Sequence, residues 1–191
     1  MKLVVVYGSV RSARQGIRLV RYLVRAASDR GHEVALFDPL ELELPLLDRM
    51  YKEYEPGEAP APLPWMADQI ASSDAVLVVS GEYNHSVPPA LANTLDHFLE
   101  EWSWRPSAIA CYSAGAFGGV RAAVHLRALL AELGMPSIPS LLPVGRVQDQ
   151  LDEDGRAQDD GGLDRRAGRF LDELEWYAAA LRRQREQGTP Y

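Results

Sequence analysis

Continuous apolar runs, each closed by a turn and followed by a helical period, constrain this chain more than any other feature. Lys2–Tyr7 contains Val4-Val5-Val6, and Ala75–Ser80 contains Val76-Leu77-Val78-Val79. A strand with one wet face alternates apolar and polar residues, whereas a strand covered on both faces need not. Glu33–Phe37 and Ala108–Ser113 read as two more covered strands. A fifth falls within Ser137–Val144, where Pro139 and Pro143 point to the edge of a sheet.

Helical stripes separate these runs. Ile17, Val20, Leu23, Val24 and Ala27 mark one that ends near Gly31. A shorter helix fits Pro64–Ser73. Ala90, Leu91, Leu95, Phe98 and Leu99 mark a third, opened by Pro88-Pro89. Val120, Ala123, Val124, Leu130 and Leu133 mark a fourth, and Leu163 through Leu181 a last one. Strands alternating with helices predict an α/β fold of parallel βαβ units with right-handed crossovers. The length of 191 residues suits a single domain over 1–191. In such open sheets ligands bind beyond the carboxyl ends of the strands, where strand order reverses. The turns after the first, third and fourth strands are therefore the places to search.

Composition narrows the function. Twenty Lys and Arg against 27 Asp and Glu give a net charge of −7, which would repel a nucleic-acid backbone. An anionic ligand needs a local site that beats that field. Cys111 is the sole cysteine; it lies in an apolar segment, fits a reducing cytoplasm, and reads as a small core residue rather than a nucleophile. No run approaches a membrane span, so the expected location is cytoplasmic, with no membrane or nucleic-acid partner. Asp38 to Leu63 carries several prolines and acids and reads as a long surface excursion. Gln148 to Gly162 is acidic and turn-rich. Its DEDG resembles a calcium loop, but Gln150 and Gly161 would stand at the first and twelfth ligand positions, so it reads as a solvated turn.

The first turn, Gly8-Ser9-Val10-Arg11-Ser12-Ala13-Arg14-Gln15-Gly16, combines what a phosphate needs. A following helix offers unpaired N–H groups, glycine allows close backbone approach, serines donate, and arginines add planar charged donors. Read blandly, it is a solvated turn with two surface arginines. It is neither a Walker loop nor a GxGxxG turn. The second turn, Gly81 to Pro89, offers Tyr83 and prolines as apolar surface and Asn84 as a donor and acceptor, as a flat heteroaromatic ring requires. The third, Ser113-Ala114-Gly115-Ala116-Phe117-Gly118-Gly119, holds three glycines, from close packing or close ligand approach. A serine-hydrolase elbow needs glycine where Cys111 stands. All three turns fall at one edge of the expected sheet.

Together the motifs resemble a known family. GSVRSARQG, GEYNHSVPPALANTLDHF and SAGAFGGVRA are similar, in order and spacing, to the phosphate loop, the PEYNxSxP segment and the glycine-rich segment of the NAD(P)H-dependent FMN reductases. DEDGRAQDDGGLDRRAGRFL resembles that family's last turn and closing helix. Gly81 departs from a usual proline, and Ala92 from a frequent lysine. The resemblance implies a flavodoxin-like three-layer sandwich with five parallel strands in the order 2-1-3-4-5. It implies bound FMN, NAD(P)H as co-substrate, and a homodimer or homotetramer. By position, Ser9, Arg11, Arg14, Gln15, Gly16 and Ile17 would hold the phosphate. Glu82, Tyr83 and Asn84 would line the isoalloxazine ring, largely through backbone, and Ser113, Ala114 and Gly115 would close its other edge.

The expected activity is an NAD(P)H oxidoreductase with ping-pong kinetics, passing electrons through FMN to a small-molecule acceptor: a quinone, azo dye, metal oxyanion or free flavin. The alternative is a flavodoxin-like electron carrier without turnover of its own. A phosphoacceptor receiver domain would need clustered acids after the first strand, where Gly8-Ser9-Val10-Arg11 stand instead. Trp102, Trp104 and the apolar residues Leu46, Leu47, Met50, Tyr51 and Tyr54 are expected to favour contact with a partner subunit.

Overall fold

The computed structural model describes residues 1–158 and 161–190. Five strands form one parallel sheet: β1 (Lys2–Tyr7), β2 (Glu33–Phe37), β3 (Ala75–Ser80), β4 (Ser107–Tyr112) and β5 (Ser137–Val144), in the order β2-β1-β3-β4-β5. All residues of β3 and β4 are buried, as their unbroken apolar runs require.

The helices cover both faces. α1 (Ile17–Asp29) and α7 (Gly162–Arg185) pack on one, with Leu19, Leu23, Phe170 and Leu171 meeting Val5, Leu77 and Ala110 of the sheet. α3 (Leu63–Ala71), α4 (Pro89–Asp96) and α5 (Val120–Glu132) cover the other, where Met66, Ile70, Leu91, Leu95 and Leu126 meet Val4, Val78 and Ile109. Two single-turn helices, α2 (Pro39–Leu42) and α6 (Val147–Gln150), lie beside the carboxyl edge. Pro88 stands just before α4 and Pro89 at its first position, where a missing N–H costs nothing. At the outer edge, β5 is closed to further pairing. Arg127 donates to the carbonyls of Ile138 and Pro139 at 2.9 and 2.7 Å, and Arg166 to that of Pro143 at 2.9 Å.

Several expectations are corrected. β4 ends at Tyr112, one residue early, because the Ser113 hydroxyl closes the following turn. Val120 and Val124 do not face the core: α5 buries Ala122, Ala123, Leu126 and Leu130 instead. Trp102 is fully buried, with Nε1 donating to the Leu95 carbonyl at 3.0 Å and its ring edge-on to Phe98, so it is core and not a partner contact. Tyr51 and Tyr54 pack on the same core, while Leu46 and Leu47 of the excursion are exposed. The DEDG turn is docked rather than merely solvated. Arg18, Arg21 and Arg25, one face of α1, donate to the carbonyls of Leu151, Glu153, Asp154 and Gly155. Gly155 sits so close that an added Cβ would lie 2.5 Å from the Arg18 carbonyl oxygen. Asp159 and Asp160 of the same stretch lie outside the described residues.

Replacing Trp102 by alanine should therefore destabilise the fold by about 3–5 kcal/mol, the usual loss for a buried aromatic. Replacing the exposed Trp176 should cost less than about 1 kcal/mol. Urea unfolding followed by circular dichroism measures both; similar losses would contradict the core position of Trp102.

Candidate active site

The carboxyl ends of β1, β3 and β4 open onto a cleft of about 220 Å³, lined by Ser9, Arg11, Ala13, Arg14, Gln15, Gly81, Glu82, Tyr83, Tyr112, Ser113 and Ala114. Eight of the residues named from sequence meet there. The others lie close by. Gly16 packs under the Tyr112 ring, where a Cβ would overlap it. Ile17 lines an adjoining cavity of about 330 Å³ with Ser12, Arg18, Arg21 and Glu153. Asn84 is exposed at the tip of the second turn, and Gly115 in the third turn faces open space.

Each turn has a local cause. The first begins where the Gly8 N–H bonds to Val79 at 3.1 Å, tying the loop to β3. The Ser9 hydroxyl shares a hydrogen bond with the Tyr83 hydroxyl at 2.9 Å, linking the first turn to the second. In the second turn Tyr83 and Ser86 exchange backbone hydrogen bonds at 3.0 and 2.9 Å, with Asn84 and His85 at φ of 50° and 65° between them. Positive φ at both central residues is the signature of the tight hairpin turn that asparagine favours. In the third turn the Ser113 hydroxyl donates to the Gly115 carbonyl at 2.7 Å and accepts from the Gly118 N–H at 2.8 Å. Gly118 and Gly119 hold left-handed backbone (φ 64° and 75°), and a Cβ at Gly119 would lie 2.7 Å from the Tyr112 carbonyl oxygen. Two of the three glycines thus serve the loop itself.

The two arginines of the first turn are not equivalent. Arg14 is mostly buried; its Nη1 is paired with Asp38 and donates to the Ser9 carbonyl at 3.3 Å, and its Cζ lies 5.4 Å from the Tyr7 ring centroid. Arg11 is exposed along the cleft, and its guanidinium has no hydrogen bond or ion pair among the described residues. Asp38, in the turn after β2, is a residue that the sequence motifs do not mark. The Asp-Pro pair that starts α2, with the Asp38 carboxylate accepting from the Leu40 N–H at 3.1 Å, was its readable signal.

Glu82 also serves the architecture. Its carboxylate accepts from Arg121 Nε at 2.6 Å and from the Arg121 backbone N–H at 3.1 Å, so the second turn caps the N-terminus of α5. Burial pushes its pKa up, but the hydrogen bonds and charge of Arg121 outweigh burial and hold it below the ordinary glutamate value. Beneath the cleft, burial raises the pKa of Tyr7 and of Tyr112, whose hydroxyls stand 3.4 Å apart. Cys111 is buried, and burial with the nearby Glu82 charge pushes its thiol up to about 12, which leaves it inert at neutral pH.

The family model described as NADPH-dependent FMN reductase matches residues 1–149. This chain belongs to that family. Over 140 residues it is 37% identical to a quinone reductase of Pseudomonas putida, covering 69% of this chain and 70% of the relative. Over 177 residues it is 30% identical to a quinone reductase of Escherichia coli, covering 89% and 92%. The fold is that of the flavoenzyme NAD(P)H:(acceptor) oxidoreductase FerB from Paracoccus denitrificans, with a TM-score of 0.72 at 24% identity, covering 92% of this chain and 96% of that one. Membership decides for an oxidoreductase over a bare carrier, with FMN as the family's cofactor and NAD(P)H as its electron donor. The cleft of this family member fits that cofactor. Hydroxyl, amide and guanidinium donors gather at the β1 end, as a phosphomonoester requires, and backbone-rich turns flank Tyr83 at the other.

Glu82 makes stability depend on acidity in a defined direction. Its folded pKa lies below its unfolded one, so the contribution is present above the unfolded value of about 4.3 and is lost as pH falls through the folded value. Glu82→Gln should thus melt below wild type at pH about 7, and the gap should narrow toward pH about 3. Thermal melts across that range test it; a constant gap would contradict it.

Proposed function

We propose that the chain is an FMN-dependent NAD(P)H oxidoreductase whose physiological acceptors are quinones, and that its catalysis is ping-pong. Azo compounds, metal oxyanions and free flavin are further acceptors in the same reading. The observation that carries it is the gathering of an unpartnered Arg11, the Ser9 hydroxyl and Gln15 at one end of a cleft whose other end is the backbone of the second and third turns. FMN, when bound, supplies two-electron redox chemistry between donor and acceptor. The chain's own residues bind and orient it. Ser9, Arg11, Gln15 and the amides of Gly16 and Ile17 hold the phosphate. Glu82, Tyr83 and Asn84 line the ring, and Ser113, Ala114 and Gly115 close its edge, mainly through backbone, because the Glu82 carboxylate and the Ser113 hydroxyl are already engaged. A phosphomonoester carries about −1.5 to −2 charge. Hydrogen bonds to it contribute about 1.5–3 kcal/mol each, enough to overcome a diffuse surface charge screened over about 8 Å.

Ligand clefts usually enclose about 300–1,000 Å³. At about 220 Å³, this one covers only part of such a ligand and leaves room for a stacked acceptor or a second subunit. We infer a homodimer, extendable to a homotetramer, through the exposed apolar residues Phe117, Val120 and Val124 beside the third turn. The reducing cytoplasm suits the single, buried thiol.

Purified protein should bind FMN and oxidise NAD(P)H with a quinone. Arg11→Ala should weaken FMN about 10- to 150-fold, one charge-assisted hydrogen bond, and leave riboflavin nearly unchanged. Flavin fluorescence titration measures both; equal losses would remove the phosphate contact. For assembly, Val124→Glu should shift sedimentation of the wild-type oligomer toward monomer, and an unchanged profile would place the interface elsewhere.

A further inference from the structure

Asp38 lies outside the three turns that carry the family motifs, yet it holds the more buried of the two arginines in the phosphate loop. The pair is well shielded: the Arg14 side chain keeps 11% of its exposure and that of Asp38 keeps 6%. Asp38 is itself fixed, since the same carboxylate oxygen that meets Arg14 caps α2 through the Leu40 N–H. The surroundings leave Arg14 little charge to offer. Its Nη1 serves both Asp38 and the Ser9 carbonyl, and its Nη2 faces Glu41 at 3.9 Å. Yet Arg14 borders both the cleft and the adjoining cavity. A dianion reaching the first turn therefore meets one free guanidinium, Arg11, and one already neutralised by a neighbouring carboxylate. To recruit Arg14 fully, a phosphate must compete with Asp38 for the same donors.

We propose that Asp38 is an affinity-setting residue: it holds Arg14 back from the flavin phosphate and keeps FMN binding weaker than the two-arginine loop would otherwise give. This rests on the phosphate assignment made above and deepens it. The Arg14 donors and charge that Asp38 engages cannot be given in full to the phosphate as well, so the effect of Asp38 runs through Arg14. The effect is specific to the phosphate, because riboflavin brings no charge to that end of the cleft.

The test is a set of flavin titrations with folded wild-type and variant protein. Asparagine and serine both cap helices well, so Asp38→Asn and Asp38→Ser should keep α2 intact while removing the charge. Both should tighten FMN about tenfold or more, the lower range for one charge-assisted hydrogen bond, and leave riboflavin within about twofold. In an Arg14→Ala background the gain from Asp38→Asn should fall below about threefold, since the released partner is gone. The melting temperature should mirror this, with FMN raising that of Asp38→Asn more than that of wild type. If wild type binds FMN and the Asp38 variants bind it equally or more weakly, or tighten riboflavin as much, the proposal is overturned while the flavin reading stands. A wild-type protein that ignores FMN overturns both.

Discussion

Tyr112 stands at the end of β4 with its ring wedged between the first turn and the second, and the rest of the cleft depends on that wedge. A Cβ at Gly16 would overlap the ring, and one at Gly81 would lie 3.2 Å from its Cζ and hydroxyl. Interiors pack at crystal-like density, so a ring of this size fixes the distance between the two backbones it touches. It also gives the departure at Gly81 a physical meaning. The family's proline there would press on the ring, whereas glycine gives Tyr112 its room. The ring lies 6.4 Å from that of Tyr7, itself under Arg14, so the wedge continues beneath the first turn. Glycine at two turns and tyrosine at a strand end are thus one feature, spread over nearly a hundred residues of sequence.

Electrostatics are arranged in the same local way. The chain is acidic overall, yet its acids near the site are placed singly against particular cations or helix ends. Glu82 sits at the N-terminus of α5 and binds Arg121, which otherwise lies over the Phe117 ring at 4.9 Å. Asp38 neutralises Arg14 while capping α2. Arg18, Arg21 and Arg25 are occupied by carbonyls of Leu151 and of the docked DEDG turn that follows it. Among the described residues Arg11 is the arginine left uncommitted along the cleft, so an incoming anion meets one free charge together with neutral donors from Ser9, Gln15 and backbone amides. A net charge of −7 is compatible with an anion site because almost all of the chain's nearby charge is already spent internally.

The strands were legible because a run such as Val76-Leu77-Val78-Val79 needs no knowledge of its neighbours: burial on both faces follows from composition alone. The order β2-β1-β3-β4-β5 was legible only through the motifs, since periodicity does not say which strand pairs with which. Trp102 and Val124 misled for opposite reasons. An indole outside a regular helix looks like an exposed anchor, but its N–H reaches the Leu95 carbonyl at the end of α4. Val124 fits a helical stripe, but small residues at Ala122 and Ala123 let α5 approach the sheet on a neighbouring face. At the site, the turns could be placed because they follow strands of one sheet. The pairing of Arg14 with Asp38 could not, because it joins positions 24 apart through space and leaves no periodic trace.

The division of labour among the three turns bears on acceptor choice. Side chains that could read a particular ring are largely committed: Ser113 to its own turn, Glu82 to α5, and the Tyr83 hydroxyl to that of Ser9. Recognition of a flat ring then falls to backbone N–H and C=O groups and to apolar surface, which distinguish a polar edge from a face but not one planar molecule from another. A site built in this way would, on the proposed reading, fix the cofactor at its phosphate and its edge and leave the opposite face to shape alone. On the proposed reading, breadth toward planar acceptors is a consequence of where the hydrogen bonds have been used, and specificity must come from whatever apolar surface closes the open side of the cleft.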